Sequence, residues 1–239
     1  MTEEQKEKPY SRAMVVMAHP DDAEYSCSGT VAKWTRMGWE VVYVLCTDGS
    51  KGTDEPDMTT EKLAAIRKRE QLDAAKILGL KDVVFLNYPD SYLTPSLDLR
   101  KDIARAIRTH KPDILICPNP TRSFDNNFYV GHPDHMAAGE AALAAVYPTS
   151  RDRLTYPDLI KEGLEPHKVR ELWITMGAGA NHWVELTEED LKTSLRALKA
   201  HVSQVGEDVD GRMREWKARA GSLRGYRYAE AFRVFKMRV

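Results

Sequence analysis

Cysteine is scarce in this 239-residue chain: only Cys27, Cys46 and Cys117 occur. They are odd in number, widely spaced and set among apolar or small neighbours. That excludes a disulfide framework and a Cys-x-x-Cys metal site, and it predicts buried free thiols. Long hydrophobic runs are also missing. Nothing approaches the roughly 20 apolar residues that span a bilayer, so no membrane insertion is expected. Segment 1–10 is charged where a secretory signal would be apolar, and the expected location is cytoplasmic. An excess of one charge is lacking as well: 35 Lys and Arg against 36 Asp and Glu leave a formal net charge of −1. No global field therefore draws the chain to nucleic acid or to an anionic surface, and specificity must come from a local site. No internal repeat or low-complexity tract is present.

What the chain does have is a globular balance, 42% hydrophobic and 30% charged, over a length that suits one large α/β domain. Short apolar runs without alternation at 13–18, 41–47, 83–87, 112–117 and 171–176 predict strands buried on both faces of a parallel sheet. Helical periodicity separates them at 29–37, 60–78, 97–109 and 136–146, with Gly38 and Gly79 as stops. Residues 1–11 form a polar leader and 12–239 a single domain. Its part from about 147 onward is expected to complete the sheet and the pocket rim. There, 147–168 is an excursion with short helices, and His182 lies in a loop over 177–183. A helix begins after Thr187 with Leu191, Leu195, Leu198 and Val202 as its apolar face; 206–220 is a further helix and 226–237 a strand-like close.

The chemistry concentrates at His19-Pro20-Asp21-Asp22-x-Glu24, directly after the first strand, where ligand sites of parallel sheets lie. Pro20 is placed to open a helix, which would set His19 and Asp22 three residues apart on one face. His132-Pro133-Asp134-His135 repeats this logic ahead of the helix at 136–146. Each segment alone also reads as a helix cap with acidic residues at the dipole's positive end. Two of them at one sheet edge favour a shared metal.

His19, Asp22 and His135 would supply two imidazoles and one carboxylate, the set that leaves zinc, or another divalent transition metal, one open position. Asp21 is then free to take a proton from water as general base. His132 can donate to a developing oxyanion and assist a departing amine, with Asp134 holding its imidazole in the productive tautomer.

Three further features stand open. Arg67 and Glu70 interrupt the apolar stripe of the 60–78 helix, either as a structural ion pair or as groups with a role at the sheet edge. Asp90, after Pro89, is either a turn former or another carboxylate at that edge. Loops 48–58 and 118–131 are positioned to line a pocket, while His110, His167 and His201 read as ordinary helix or surface residues.

The two histidine motifs, the Arg67-x-x-Glu70 helix ending at Leu78-Gly79, and the 228–233 stretch Tyr-Ala-Glu-Ala-Phe-Arg together resemble the PIG-L/LmbE-like family of zinc-dependent N-acetylglucosaminyl deacetylases. The resemblance implies a Rossmann-like three-layer sandwich with a mostly parallel sheet and helices on both faces. It implies zinc on His19, Asp22 and His135, Asp21 as base, and His132 at the oxyanion. Arg67 and Asp90 match positions that contact the sugar. A small amino-sugar substrate and a homo-oligomer, hexamer included, are further implications. Ser28 stands where the family often has glycine, and Val130 where some members carry tyrosine; Tyr129 is one residue off register, so that role is not transferred.

The expected activity is hydrolysis of the acetamide of a GlcNAc-type amino sugar. Two alternatives are a same-metal amidase on a larger thiol-sugar or antibiotic amide, and a non-catalytic Rossmann-like sugar or nucleotide binder. The second lacks the Gly-x-Gly-x-x-Gly fingerprint.

Overall fold

A computed structural model describes residues 9–122, 124, 130–175, 179–206 and 208–238. The apolar run at 12–17 forms β1 (Arg12–Met17), an inner strand of a seven-stranded sheet. β2 (Glu40–Thr47) and β3 (Asp82–Tyr88) extend it to one side, β4 (Ile114–Pro118) and β5 (Glu171–Thr175) to the other, all parallel. β7 (Ala229–Lys236) pairs antiparallel with β5 and with β6 (His182–Glu185), giving the order β3-β2-β1-β4-β5-β7-β6. The chain fills one side before returning to the other, so the order reverses between β1 and β4. The crevice at such a switch point lies at the carboxyl ends of those two strands. His19 follows β1 and His132 follows β4, which is why segments more than a hundred residues apart meet.

The core has two faces because consecutive strand residues point oppositely. Val15 and Met17 pack towards α2 (Ser28–Arg36), α3 (Thr60–Leu78), α7 (Glu188–Leu198) and α8 (Val209–Ser222), against Val31, Leu78, Leu195 and Met213. Met14 and Val16 pack towards α4 (Leu97–His110) and α5 (Pro133–Ala144), against Ile103, Ala138 and Ala142. The result is a three-layer α/β sandwich. α5 sits close on β4: a Cβ at Gly139 would lie 2.5 Å from the Pro118 carbonyl oxygen.

Side chains set the helix ends. Thr59 Oγ1 accepts the Lys62 amide, Gly79 closes α3 at φ 71°, and Thr187 and Asp190 cap each other at the start of α7. Within α2, the hydroxyl of Ser28 donates to the Glu24 carbonyl, so serine is accommodated at the position where glycine was expected.

Several sequence expectations need correction. Pro20 does not open a helix: it lies in a turn, and a short α1 (Asp22–Ser26) begins two residues later. The second motif does behave as predicted, with His132 as N-cap and Pro133 at the first helical position, so α5 starts before residue 136. His182 begins β6 rather than lying in a loop, because Phe232 of β7 offers it a partner. α7 ends at Leu198, leaving Val202 77% exposed instead of on its apolar face. Ser11 and Tyr10, read as leader, bond to Asp113 and Glu171 of the sheet region. Residues 1–8, Tyr129 and most of 123–129 lie outside the described residues. All three cysteines are buried and free.

Candidate active site

At the switch-point crevice, His19, Asp22 and His135 present ligand atoms within 4.8 Å of one another. His19 Nδ1 lies 3.3 Å from His135 Nε2, and Asp22 Oδ1 lies 3.0 Å from the same nitrogen. Two imidazole nitrogens and a carboxylate oxygen this close together can share one cation, and a two-nitrogen, one-oxygen set suits zinc with an open position.

The surrounding electrostatics favour positive charge at that point. Burial alone would lower the His19 pKa, but hydrogen bonds that its ring donates to Asp134, Asp22 and Asp90 hold it well above 6.5. Asp22 is held well below the ordinary carboxylate range, because His135 and His19 outweigh its burial. The residues present therefore fit a divalent metal.

The far edge of His19 is equally specified. Its Nε2 lies 3.1 Å from Asp90 Oδ1 and 3.3 Å from Asp134 Oδ2, the arrangement in which a carboxylate fixes the tautomer of a ligating histidine. Asp134 is anchored by the Ser91 and Leu93 amides, at 2.7 and 3.3 Å. Turned that way, its carboxylate stays 4.0 Å from His132 Nδ1, so it does not orient His132 as the sequence predicts. The main chain does so instead. The Asp134 amide donates to His132 Nδ1 at 3.2 Å, which leaves Nε2 to carry the proton of the neutral ring. Burial and the neighbouring His19 and His135 lower the His132 pKa and keep it neutral.

Asp21 stands beside the three converging groups in a left-handed conformation, φ 90° and ψ −26°. A non-glycine residue there stores roughly 1–3 kcal/mol and persists only when its surroundings over-determine it. Those surroundings are explicit: the Asp21 amide donates to Gln71 Oε1 at 3.3 Å, and Arg67 Nη2 lies 3.4 Å from Asp21 Oδ2. Burial raises the Asp21 pKa to about 7, with Arg67 opposing the rise, a value that would suit a base at neutral pH.

Arg67 is 4% exposed and also donates to the Gly49 and Pro20 carbonyls at 2.9 and 2.6 Å. Arg67 and Glu70 thus do not form an ion pair: Glu70 instead accepts both the amide and the hydroxyl of Ser203 at 2.7 Å.

An open cleft of about 180 Å³ leads to these groups, lined among others by His19, Asp21, Arg67, Asp90 and His132. Asp90 reaches it from the turn after β3, and Lys51 and Gly52 supply part of its wall from the 48–58 loop.

Residues 14–146 match the family model described as PIG-L, GlcNAc-PI de-N-acetylase. The chain belongs to the PIG-L family. Among PIG-L relatives it is 33% identical over 226 residues to a diacetylchitobiose deacetylase of Thermococcus kodakarensis, covering 93% of this chain and 82% of that protein. A probable N-acetyl-alpha-D-glucosaminyl L-malate deacetylase 2 of Bacillus anthracis is 30% identical, over 85% and 86% of the two chains. The N,N'-diacetylchitobiose deacetylase of Pyrococcus horikoshii, solved with its inhibitor, superposes with a TM-score of 0.87 at 30% identity, covering 95% of this chain and 84% of that one. The matched PIG-L segment runs from β1 to the end of α5 and so contains both histidine motifs.

Two groups escaped the sequence reading. His201, taken for an ordinary residue, is fully buried with Nε2 3.4 Å from Glu24 Oε2. Gln71, four residues after Arg67, carried no signal beyond sharing its helix face. His182 packs against Trp173, with ring centroids 4.8 Å apart and planes tilted by 60°, and is absent from the cleft lining. His167 Nε2 bonds the Pro112 carbonyl, and His110 lies 3.9 Å from Asp82, both away from the site.

Proposed function

We propose that the chain is a zinc-dependent N-deacetylase that hydrolyses the acetamide of a GlcNAc-type amino sugar to acetate and the free amine. The observation that carries this reading is the convergence of His19, Asp22 and His135 on one point, with the buried carboxylate of Asp21 beside it at the floor of the cleft. The deacetylase relatives support the substrate class.

His19, Asp22 and His135 would hold the metal, which supplies a Lewis acid that polarises the amide carbonyl and makes water acidic enough to ionise near neutral pH. Asp21, poised near pH 7, takes the proton of the attacking water. His132, neutral and protonated at Nε2, donates to the carbonyl oxygen as it gains negative charge. The C–N bond then breaks, the nitrogen takes up a proton returned from Asp21, and His132 assists the departing amine. Asp134 holds His19 through its carboxylate and His132 through its amide. Arg67 and Asp90 line the cleft and are proposed to meet the sugar there, beside their contacts to Asp21 and His19.

At about 180 Å³ the cleft suits a single compact sugar unit better than a bulky antibiotic amide. The test is acetate release from N-acetylglucosamine, its oligomers and aryl or inositol glycosides. Turnover of at least one, abolished by a chelator and restored by zinc, is expected. No acetate from any of them with the zinc-loaded protein contradicts the reading.

A further inference from the structure

We propose that Gln71 is a positioning residue for Asp21, held in place by a buried array of Glu24 and His201. This inference rests on the reading of Asp21 as the base.

A left-handed aspartate stays put only if its amide, carbonyl and side chain are all gripped. The Asp21 carbonyl accepts the Tyr25 amide at 3.1 Å and its carboxylate faces Arg67, which leaves the amide to Gln71 Oε1. Arg67 and Gln71 are one turn apart on α3, so one helix face holds both ends of the residue.

The Gln71 side chain is fully buried, and its orientation is forced. Its Nε2 donates to Glu24 Oε1 at 3.1 Å, and a carboxylate there accepts only an N–H, so the amide oxygen must turn to Asp21. The other Glu24 oxygen has His201 Nε2 as its neighbour at 3.4 Å, and neither residue is exposed to solvent.

His201 arrives from the segment after α7, which Glu70 ties back to α3 through both polar atoms of Ser203. Gln204 Nε2 continues the bracing to the Gly52 carbonyl in the cleft wall. The array thus runs from the end of α7 through α1 and α3 and terminates on the main chain of the base. Burying an imidazole, a carboxylate and an amide where apolar side chains would fit is costly, and the close approach of Glu24 to both His201 and Gln71 offsets that cost.

The test uses the zinc-loaded full chain. Gln71→Met keeps the length and removes the acceptor; Gln71→Asn keeps an amide but is one methylene too short to span both partners. Both are expected to lower kcat about tenfold to a hundredfold, the scale of misplacing a reacting group by about 1 Å. KM is expected within about twofold of the parent and zinc content unchanged. In an Asp21→Asn background Gln71→Met should add less than about a twofold loss, because the two act through one group. Glu24→Gln, whose amide can present oxygen to Gln71 and nitrogen to a neutral His201, should keep more turnover than Glu24→Leu.

The proposal is overturned if a folded Gln71 variant keeps the parental kcat, if its loss persists in full in the Asp21→Asn background, or if zinc is lost in step with activity. An Asp21→Asn protein with parental turnover would instead defeat the assignment of the base itself.

Discussion

The carboxylate of Asp90 lies 3.1 Å from His19 Nε2, across the ring from the Nδ1 that faces His135. Asp90 is 3% exposed and its second oxygen accepts the Lys51 amide at 3.0 Å, so it is built into the site as firmly as His19, the proposed ligand beside it. Such a partner orients the imidazole and raises its basicity. Asp90→Ala should therefore weaken zinc binding by roughly 10–100-fold, measured by competition with a chromophoric chelator. An effect confined to KM, with zinc affinity intact, would assign Asp90 to the sugar alone.

In the proposed mechanism Arg67 acts on Asp21, the base, before it acts on any sugar. Burial raises the Asp21 pKa to about 7 and Arg67 opposes the rise, so removing the guanidinium lifts it further. The base works ionised, and a higher pKa moves the acid limb of the rate profile to higher pH. Arg67→Ala should thus lose roughly fivefold in kcat at pH 7 if the Asp21 pKa climbs from about 7 to about 8, and Arg67→Lys should lose less. A pH-rate profile decides; an unmoved acid limb with only KM raised would contradict it.

Lys217 and Glu230 form a buried pair at 2.8 Å, with exposures of 3% and 2%. Glu230 also accepts the Gly29 and Thr30 amides at 3.0 and 2.7 Å, a carboxylate set at the positive end of α2. The 228–233 stretch that resembles the family thus serves the fold from a distance. Lys217→Met leaves that charge uncompensated and should cost about 3–5 kcal/mol, a fall in Tm of roughly 6–20 °C. Glu230→Gln, which still accepts the helix amides, should cost less; equal losses would mean that charge plays no part.

His201 makes stability depend on pH. Burial would lower its pKa, but Glu24 outweighs burial and the folded value lies above 6.5. A raised histidine pKa contributes stability in full below 6.5, and this is lost as pH climbs through the folded value. Urea unfolding of the parent and of His201→Gln, followed from about pH 6 to about pH 9, should show the parent's advantage shrinking with pH. An advantage that grows with pH would contradict the pairing.

The contrast between these groups explains what the sequence made legible. The strands at 13–17 and 41–47, the capped helix at 60–78 and the motifs at residues 19 and 132 all announce themselves locally, through unbroken apolar runs, Thr59 and Gly79, and a proline after each histidine. Their meeting follows from the right-handed logic of a parallel sheet.

What stayed hidden depends on partners distant in the chain. Glu70 looks for Arg67 nearby but finds Ser203, and His201 has no motif because Glu24 reaches it from the other end of the domain. The left-handed turn at Asp21 defeated the expectation that Pro20 opens a helix, since Gln71 and Arg67 reach across from α3 to hold that backbone. Asp134 was assigned to the nearer histidine, whereas the amides of Ser91 and Leu93 turn it towards His19.

The central claim is that segments following β1 and β4 share one divalent ion. Anomalous diffraction at the zinc edge, from crystals of the zinc-loaded protein, tests it most directly. One peak within bonding distance of His19, Asp22 and His135 together is the predicted result; peaks only elsewhere, or a peak touching one of these residues without the others, would contradict it.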